Sequence, residues 1–410
     1  MTKYIHFAIF CLILISTGAD AQVMTGLDRL VSDHFAPLKG KHVGLITNQT
    51  GRTRDGQFGA DLFAKSNAIT LVALFAPEHG MMGTRQAGVN SDTQERFDGV
   101  PVYSLYGSTR KPTKKMLKGI NALVFDIQDV GVRPYTFLST MLLAMEAAAE
   151  NKIPFYVLDR PNPLSGERIE GNILDTVLKS FVGMLPIPYL HGMTFGELAK
   201  MARAKGWMHG IAKLKLTIVP MTSWKRSMYW NETGLNWTAP SPNVPHFENA
   251  VGLAMLGATG ELGVLSIGIG SDLPFLRIGS TLMYSNEILR MADSAYSGAL
   301  PFATDDFTAT TSAGTKNYHG VRISIPTDLK DIPSFYEGQF RLMDLMLHDT
   351  AFRSAFDAVP YAEHSMFEKV TGERALVDSL RRCADFEPIF QHWSKDAEKF
   401  RSERKPYLVY

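Results

Sequence analysis

A chain of 410 residues that is 45% hydrophobic and 20% charged, with a formal net charge of +1, holds enough apolar material for two cored domains. So neutral a chain has no global field for gripping a polyanion, which excludes nucleic acid or an anionic membrane as an electrostatically driven partner. Two cysteines, Cys11 and Cys383, exclude a disulfide framework, because Cys11 lies in a segment expected to be removed.

That segment is "MTKYIHFAIFCLILISTGADAQ". It begins with Lys3, continues as an apolar run from about Phe7 to Ile15 and reaches Ala19-Asp20-Ala21. This is the layout of a secretory signal, and the run is too short for a spanning helix of ~20 residues. Cleavage near Ala21 is expected, giving an exported, periplasmic protein with no stable membrane insertion. Removal takes away Lys3 and Asp20, one charge of each sign, so the mature net charge stays at +1.

The next segments repeat one pattern. Apolar, β-branched runs stand at 41–47 (KHVGLIT), 70–76 (TLVALFA), 121–127 (NALVFDI) and 154–159 (PFYVLD), with helical text at 136–152. Near-continuous apolar strands alternating with helices predict a parallel sheet covered on both faces. Thr194 and Glu197 have capping-box spacing before a helix that ends at Gly206, and 214–220 reads as a closing strand. The stretch "TAPSPNVP" (238–245) has three prolines in eight residues and marks the boundary between 22–245 and 246–410. Beyond it come a Gly-rich loop region at 252–279, a strand at 320–326 and helical text at 334–356 and 386–404. The fold class expected is α/β: a Rossmann-like parallel sheet followed by a smaller α+β domain.

Ligands of open parallel sheets sit beyond the carboxyl ends of the strands, so the loops after the four runs should meet. They carry Asn48 and Gln49; Glu78 and His79; Gln128, Asp129, Arg133 and Tyr135; and Asp159, Arg160, Asn162 and Glu167. The glycines at 51, 56 and 59 do not have dinucleotide-binding spacing, no G-x-S-x-G elbow occurs, and no H-E-x-x-H or clustered histidine set argues for zinc. No metal is expected; Asp126 and Asp129 read more simply as carboxylates bonded to loop amides. What remains is carboxylate chemistry, as in glycosidic cleavage through an oxocarbenium-like transition state. Glu78, beside Phe75, Ala76 and Pro77, is either an acid whose pKa is raised by apolar neighbours or the cap of a helix starting near Met81. His79 orients or binds. Arg133 and Arg160 are either loop salt bridges or a fork for a substrate carboxylate.

"GLITNQTG", "LFAPEHGMMG", "ALVFDIQDVGVRPYTFLSTM", "YVLDRPNPLSGERIEGNILD", "PIPYLHGMTFGELA" and "PSPNVP" resemble successive blocks of the NamZ-type exo-β-N-acetylmuramidases, once a domain of unknown function. The likeness resumes at "GATGELGVLSIGIGSDLPF" and covers nearly all of the expected mature chain. It implies an exo-acting glycosidase that releases N-acetylmuramic acid from the non-reducing ends of peptidoglycan-derived muropeptides or disaccharides, without a cofactor, in a cleft between two domains. Glu78 falls on the family's catalytic glutamate, with His79 beside it. Asn48, Gln128, Asp129, Arg133, Tyr135, Arg160, Asn162, His191 and Glu261 are the expected substrate-binding set. Because the substrate carries a 2-acetamido group, Asp126, Asp129 or Glu261 is expected to orient that amide or stabilise its charge. Ile269 stands where the resembling sequences carry arginine, which points to amidated or otherwise substituted muramic sugars, or to N-acetylglucosaminides. A non-catalytic cell-wall sugar-binding protein is the alternative.

Overall fold

Strand runs that are apolar on both faces must be covered on both sides, and the computed structural model shows how. It describes residues 22–90 and 95–410; the expected leader, 1–21, lies outside them. In the first unit α1 (Gly26–Ser32), β1 (His42–Thr47), α2 (Gly59–Lys65), β2 (Thr70–Ala76), β3 (Glu95–Phe97), β4 (Val100–Ser104), β5 (Ala122–Asp126), α3 (Phe137–Glu150), β6 (Phe155–Leu158), α4 (Phe195–Lys205) and β7 (Leu216–Val219) follow in order. They form a seven-stranded sheet, β3-β4-β2-β1-β5-β6-β7. All its pairs are parallel except β3 with β4. The chain runs outward from β1 on one side through β2 and β4, then crosses to β5, β6 and β7. The order therefore reverses around β1, and the loops after β2 and β5 flank the crevice at that switch point.

One apolar layer packs α3 and α4 on one face of the sheet, and another packs α1 and α2 on the other. α4 is bounded as its sequence dictates. Thr194 and Glu197 close a capping box, and Gly206 ends the helix in the left-handed conformation.

The second unit contains α5 (Phe247–Leu256), β8 (Arg277–Ser280), α6 (Ser285–Ala295), β9 (Phe302–Thr304), β10 (Phe307–Thr311), β11 (Gly314–Ile323), α7 (Glu337–Met346), α8 (Thr350–Ala358), α9 (Ser365–Thr371), α10 (Ala375–Arg381) and α11 (Glu387–Arg404). Its sheet is antiparallel, β10-β11-β8, with β9 also on β11. The Gly-rich stretch expected as loop begins inside α5, and the helical text at 334–356 splits into α7 and α8 around Asp349, which caps α8.

The two units share one core. Val130, Val132, Tyr189 and Leu190 of the first pack with α5, α7, α9 and α11 of the second, and Tyr189 stacks on Tyr336 at 4.2 Å. The chain end then returns to the first unit. Tyr410 donates its hydroxyl to Asp159 at 2.8 Å, and the Val409 amide donates to Glu197 at 2.9 Å.

Candidate active site

β2 ends at Ala76, and Pro77 cannot continue a ladder, so Glu78 emerges beyond the carboxyl edge of the sheet next to β1. Its Oε2 accepts from the Thr136 hydroxyl at 2.6 Å, its Oε1 accepts from the Gly88 amide at 2.8 Å, and the Tyr106 hydroxyl bonds to it as well. Thr136 is the N-cap residue of α3 but makes no capping bond; its hydroxyl goes to Glu78 instead. Burial, and then the charge of Glu78, push the Tyr106 hydroxyl up to about 12, so it stays a donor at neutral pH. The apolar collar expected around Glu78 is therefore replaced by donors, while Phe75 and Ala76 are buried within the sheet. Nor does a helix start near Met81: the segment after Glu78 is a succession of turns, and the carboxylate reaches forward to Gly88 rather than capping.

His79 adopts φ 71°, a left-handed conformation uncommon for a side-chain-bearing residue and often found at functional sites. Its Nδ1–H donates to the Arg85 carbonyl at 2.7 Å, while the Arg85 amide returns a bond to the His79 carbonyl at 3.2 Å. That fixes the tautomer and leaves Nε2 for a ligand. Gly80 (φ +77°) and Gly83 (φ +68°) carry the turn onward, and a Cβ on Gly83 would lie 1.8 Å from the Gln49 amide nitrogen. Gln49 in turn donates to the carbonyls of Ala239 and Pro240, so the loop after β1 ties the Glu78 turn to the segment linking the units.

Glu78 and His79 open onto a cavity of about 390 Å³ between the two units. Tyr106, Tyr135, Thr136 and Tyr189 line it from the first unit, Ser241 and Asn243 from the linking segment, and Glu261, Ile267, Ile269 and Phe275 from the second. Tyr135 meets Phe137 edge to face at 4.8 Å, and burial holds its hydroxyl in the neutral form. Glu261 sits in a short 3₁₀ turn, Thr259–Leu262, after α5. Glu261 is exposed at the cavity, and the partial loss of hydration around its carboxylate raises its pKa.

The remaining expected residues do not line this cavity. Arg133, expected to grip a substrate carboxylate, is 1% exposed and donates to four main-chain carbonyls: Asn172 (3.0 Å), Ile187 (2.7 Å), Val370 (3.1 Å) and Thr371 (2.6 Å). It bolts α9 of the second unit to the first. Arg160 pairs with Asp126 at 2.6 Å and donates to the Arg52 carbonyl, the salt-bridge reading of that residue. Asn162 joins the Met193 carbonyl to the Leu164 amide, Asn48 accepts from the amide and hydroxyl of Thr50, and Gln128 donates to the carbonyls of Asp129 and Pro161. Asp129 accepts from the Val130 amide, and its other oxygen lies 3.6 Å from Nε2 of His191. Burial pushes Asp129 up to about 7. It also lowers His191 to about 3, helped by the charges of Arg404 and Arg133. These buried side chains bond to neighbouring backbone and act as loop braces, and the polar atoms they leave without a partner, among them Arg133 Nε and Gln128 Oε1, are buried away from the cavity.

Models of the exo-β-N-acetylmuramidase NamZ match the chain in two parts, the N-terminal one over residues 43–248 and the C-terminal one over 251–410. The chain is 40% identical over 402 residues to the peptidoglycan β-N-acetylmuramidase NamZ of Bacillus subtilis strain 168, covering 96% of this chain and 93% of that protein. The chain belongs to the NamZ family. Two crystal structures of DUF1343-family proteins from Bacteroides fragilis share the fold. One superposes with a TM-score of 0.87 at 37% identity, the other with 0.74 at 28%, each covering 95% of this chain and 99% of theirs.

Within this NamZ chain the sequence reading missed Thr136, Tyr106 and Gly88, the three donors to Glu78. Thr136 was legible as a potential helix cap after the third strand, but its hydroxyl is drawn away from that role by a carboxylate 58 residues earlier in the chain. Tyr106 follows β4, a short edge-side strand whose pattern was too weak to read. Among the described residues no group of three or more His, Cys, Asp or Glu is placed to hold a metal ion, and no helix is long and apolar enough to cross a membrane.

Proposed function

We propose that this NamZ-family glycosidase releases N-acetylmuramic acid from the non-reducing ends of peptidoglycan fragments, with Glu78 as general acid/base. The observation that carries this reading is the placement of Glu78, which belongs to the Glu-His-Gly turn, in the wall of a cavity that both units build.

The donors around Glu78 divide its two oxygens. Oε1 is held by a main-chain amide, which can only donate, whereas Oε2 meets the Thr136 hydroxyl, which can turn and accept. The catalytic proton therefore belongs on Oε2. From there it passes to the leaving glycosidic oxygen as the bond from that oxygen to the anomeric carbon breaks, and water attacking the anomeric carbon later returns a proton to Glu78. Of the three carboxylates weighed as its helper, Asp126 is paired with Arg160 and Asp129 is withdrawn beside His191. Glu261 alone reaches the cavity. Glu261 is assigned the task of orienting the 2-acetamido group or stabilising charge on it, and Nε2 of His79 that of positioning the sugar. No observation favours the sugar-binding alternative.

The protein is further proposed to be exported to the periplasm, on the strength of the leader 1–21. Amino-terminal sequencing of protein from the periplasmic fraction should begin near Gln22. Recovery of chains starting at Met1 from the cytoplasm alone would refute export. The activity is tested by incubating the protein with a muramic-acid-terminated disaccharide and separating the products by mass. Free N-acetylmuramic acid is expected from the native enzyme and not from Glu78→Gln; an intact disaccharide would refute the assignment.

A further inference from the structure

A second pocket, of about 40 Å³, lies among the loops that follow β1, β5 and β6, and none of Glu78, His79 and Glu261 borders it. Arg52, Arg54 and Arg160 line it, and among the described lining residues there is no aspartate or glutamate. Protein groups neutralise these guanidiniums only in part. Arg160, 6% exposed, gives Nε to Asp126 at 2.6 Å and Nη2 to the Arg52 carbonyl at 3.0 Å, which leaves Nη1 with no acceptor among the described residues. Arg52 gives Nε to the Gln49 carbonyl (3.1 Å) and Nη1 to the Gly56 carbonyl (2.9 Å), lies over the Phe58 ring at 5.3 Å, and meets no carboxylate. Arg54 reaches only the exposed carboxylate of Asp55, at 3.8 Å. The buried Thr53 hydroxyl accepts from the Gln57 amide at 3.1 Å and keeps its own proton to donate. Donors therefore converge on a space that holds surplus positive charge, and like charges held together there favour a counter-ion.

From this we infer that the pocket is a binding site for a tetrahedral oxyanion, either inorganic phosphate or the phosphate group of a small monoester. The inference concerns a site apart from the catalytic cavity and does not depend on the muramidase reading. A phosphate carries about −1.5 to −2 charge at neutral pH and directs its oxygens several ways, which suits guanidiniums arriving from the loops after β1 and β6. A carboxylate, planar and singly charged, would leave part of that donor set unused. The volume admits such an ion and is too small for a sugar ring, while exposed Gly56 at the border leaves a way out for the carbon of an ester. Location agrees, because ligands of open parallel sheets sit beyond the carboxyl ends of the strands. An occupant would also hold the loop after β1 in place. That loop carries Gln49, which abuts Gly83 in the Glu78 turn and bonds to the carbonyls of Ala239 and Pro240, so filling the pocket should stabilise the fold.

The test is titration calorimetry of the native protein with inorganic phosphate, glycerol phosphate and acetate, with ionic strength held constant by chloride. Phosphate is expected to fill one site with a dissociation constant of about 1 mM or tighter and to raise the melting temperature. Arg52→Gln and Arg54→Gln should each weaken binding by about tenfold or more, the loss of one charge-assisted donor, and should shrink the thermal shift. Arg54→Gln is the safer of the two for folding, because the Arg54 guanidinium holds no main-chain carbonyl. Binding of both phosphates would mark a site for a monoester, and binding of inorganic phosphate alone a site for the free ion; either upholds the inference. It is overturned by acetate binding as tightly as phosphate, by no saturation across the millimolar range, or by unchanged affinity in both variants. Crystals soaked in selenate give an independent reading of place: an anomalous peak among Arg52, Arg54 and Arg160 is expected, and peaks only elsewhere would also overturn it.

Discussion

Two sets of polar side chains occupy the carboxyl edge of the parallel sheet, and they differ in what their partners are. Arg133, Arg160, Asn162, Asn48 and Gln128 bond mainly to main-chain groups, with Arg160 also on Asp126 and Asn48 also on the Thr50 hydroxyl, and they are buried. Glu78, His79 and Glu261 leave polar atoms facing a cavity. Both sets stand where a ligand site belongs, so position alone does not separate a reacting residue from a bracing one. The separation comes from access: one set is turned into buried backbone, the other faces the cavity. Arg133 gives four of its five N–H groups to carbonyls and buries the fifth away from the cavity, whereas His79 commits one ring nitrogen and keeps the other for the cavity.

Substitutions in each set should therefore act on different observables. The largest effect is expected for Glu78→Gln, which should lower turnover by about 10²–10⁴-fold, with little change in melting temperature. An initial-rate assay beside a thermal melt checks it, and equal losses in both would put Glu78 in the bracing set. Arg160→Met strands the buried carboxylate of Asp126 and should cost about 3–5 kcal/mol of stability in denaturant titration, with KM unchanged under conditions where the variant is folded. Arg133→Met should cost about 2–4 kcal/mol for the same kind of reason, four carbonyls losing one shared donor. A raised KM without lost stability would return Arg133 to substrate binding.

The pair Asp129 and His191 sharpens the comparison through pH. Asp129, at about 7 in the fold against 3.8, is a carboxyl whose raised pKa supplies stability that is full below about 4 and lost as pH rises through about 7. His191, at about 3 against 6.5, works oppositely: its contribution is full above about 6.5 and lost as pH falls toward 3. The two slopes oppose each other between about pH 4 and 6.5. Asp129→Asn should remove one of them. Its melting temperature relative to the native protein should rise between pH 5 and pH 8, and its own stability should fall more steeply on acidification. Parallel melting curves for the two proteins would show that the carboxyl is not titrating there. The smallest effect belongs to Tyr106→Phe, which removes one of three donors to Glu78 and should change turnover by roughly threefold to tenfold, in keeping with a single hydrogen bond.

Much of the first unit was legible because parallel strands buried on both faces have an unmistakable composition. β1, β2, β5 and β6 fall within the four apolar runs, and Thr194, Glu197 and Gly206 delimit α4 by local chemistry alone. The short edge pieces β3 and β4 were not legible, since Glu95–Phe97 and Val100–Ser104 are half-exposed and interrupted by Asp98-Gly99. The second unit was read more coarsely. Its antiparallel strands alternate weakly, and α5 runs through a glycine that the sequence presents as a loop signal.

By itself the sequence determined which residues end the strands, which family the chain resembles, and that Glu78 and His79 stand in a turn after β2. Those are consequences of period, of proline and glycine chemistry and of contiguous motif, all of which operate over a few residues. The tertiary structure alone decided which polar groups face the substrate. A hydrogen bond from Thr136 to Glu78, four from Arg133 to carbonyls in both units, and the arrival of Glu261 and Ile269 at the cavity from beyond the linking segment each join residues far apart in the chain. Whether a polar group braces or binds depends on whether folding turns it toward main-chain partners or toward the cavity, and both are supplied by residues distant in the chain.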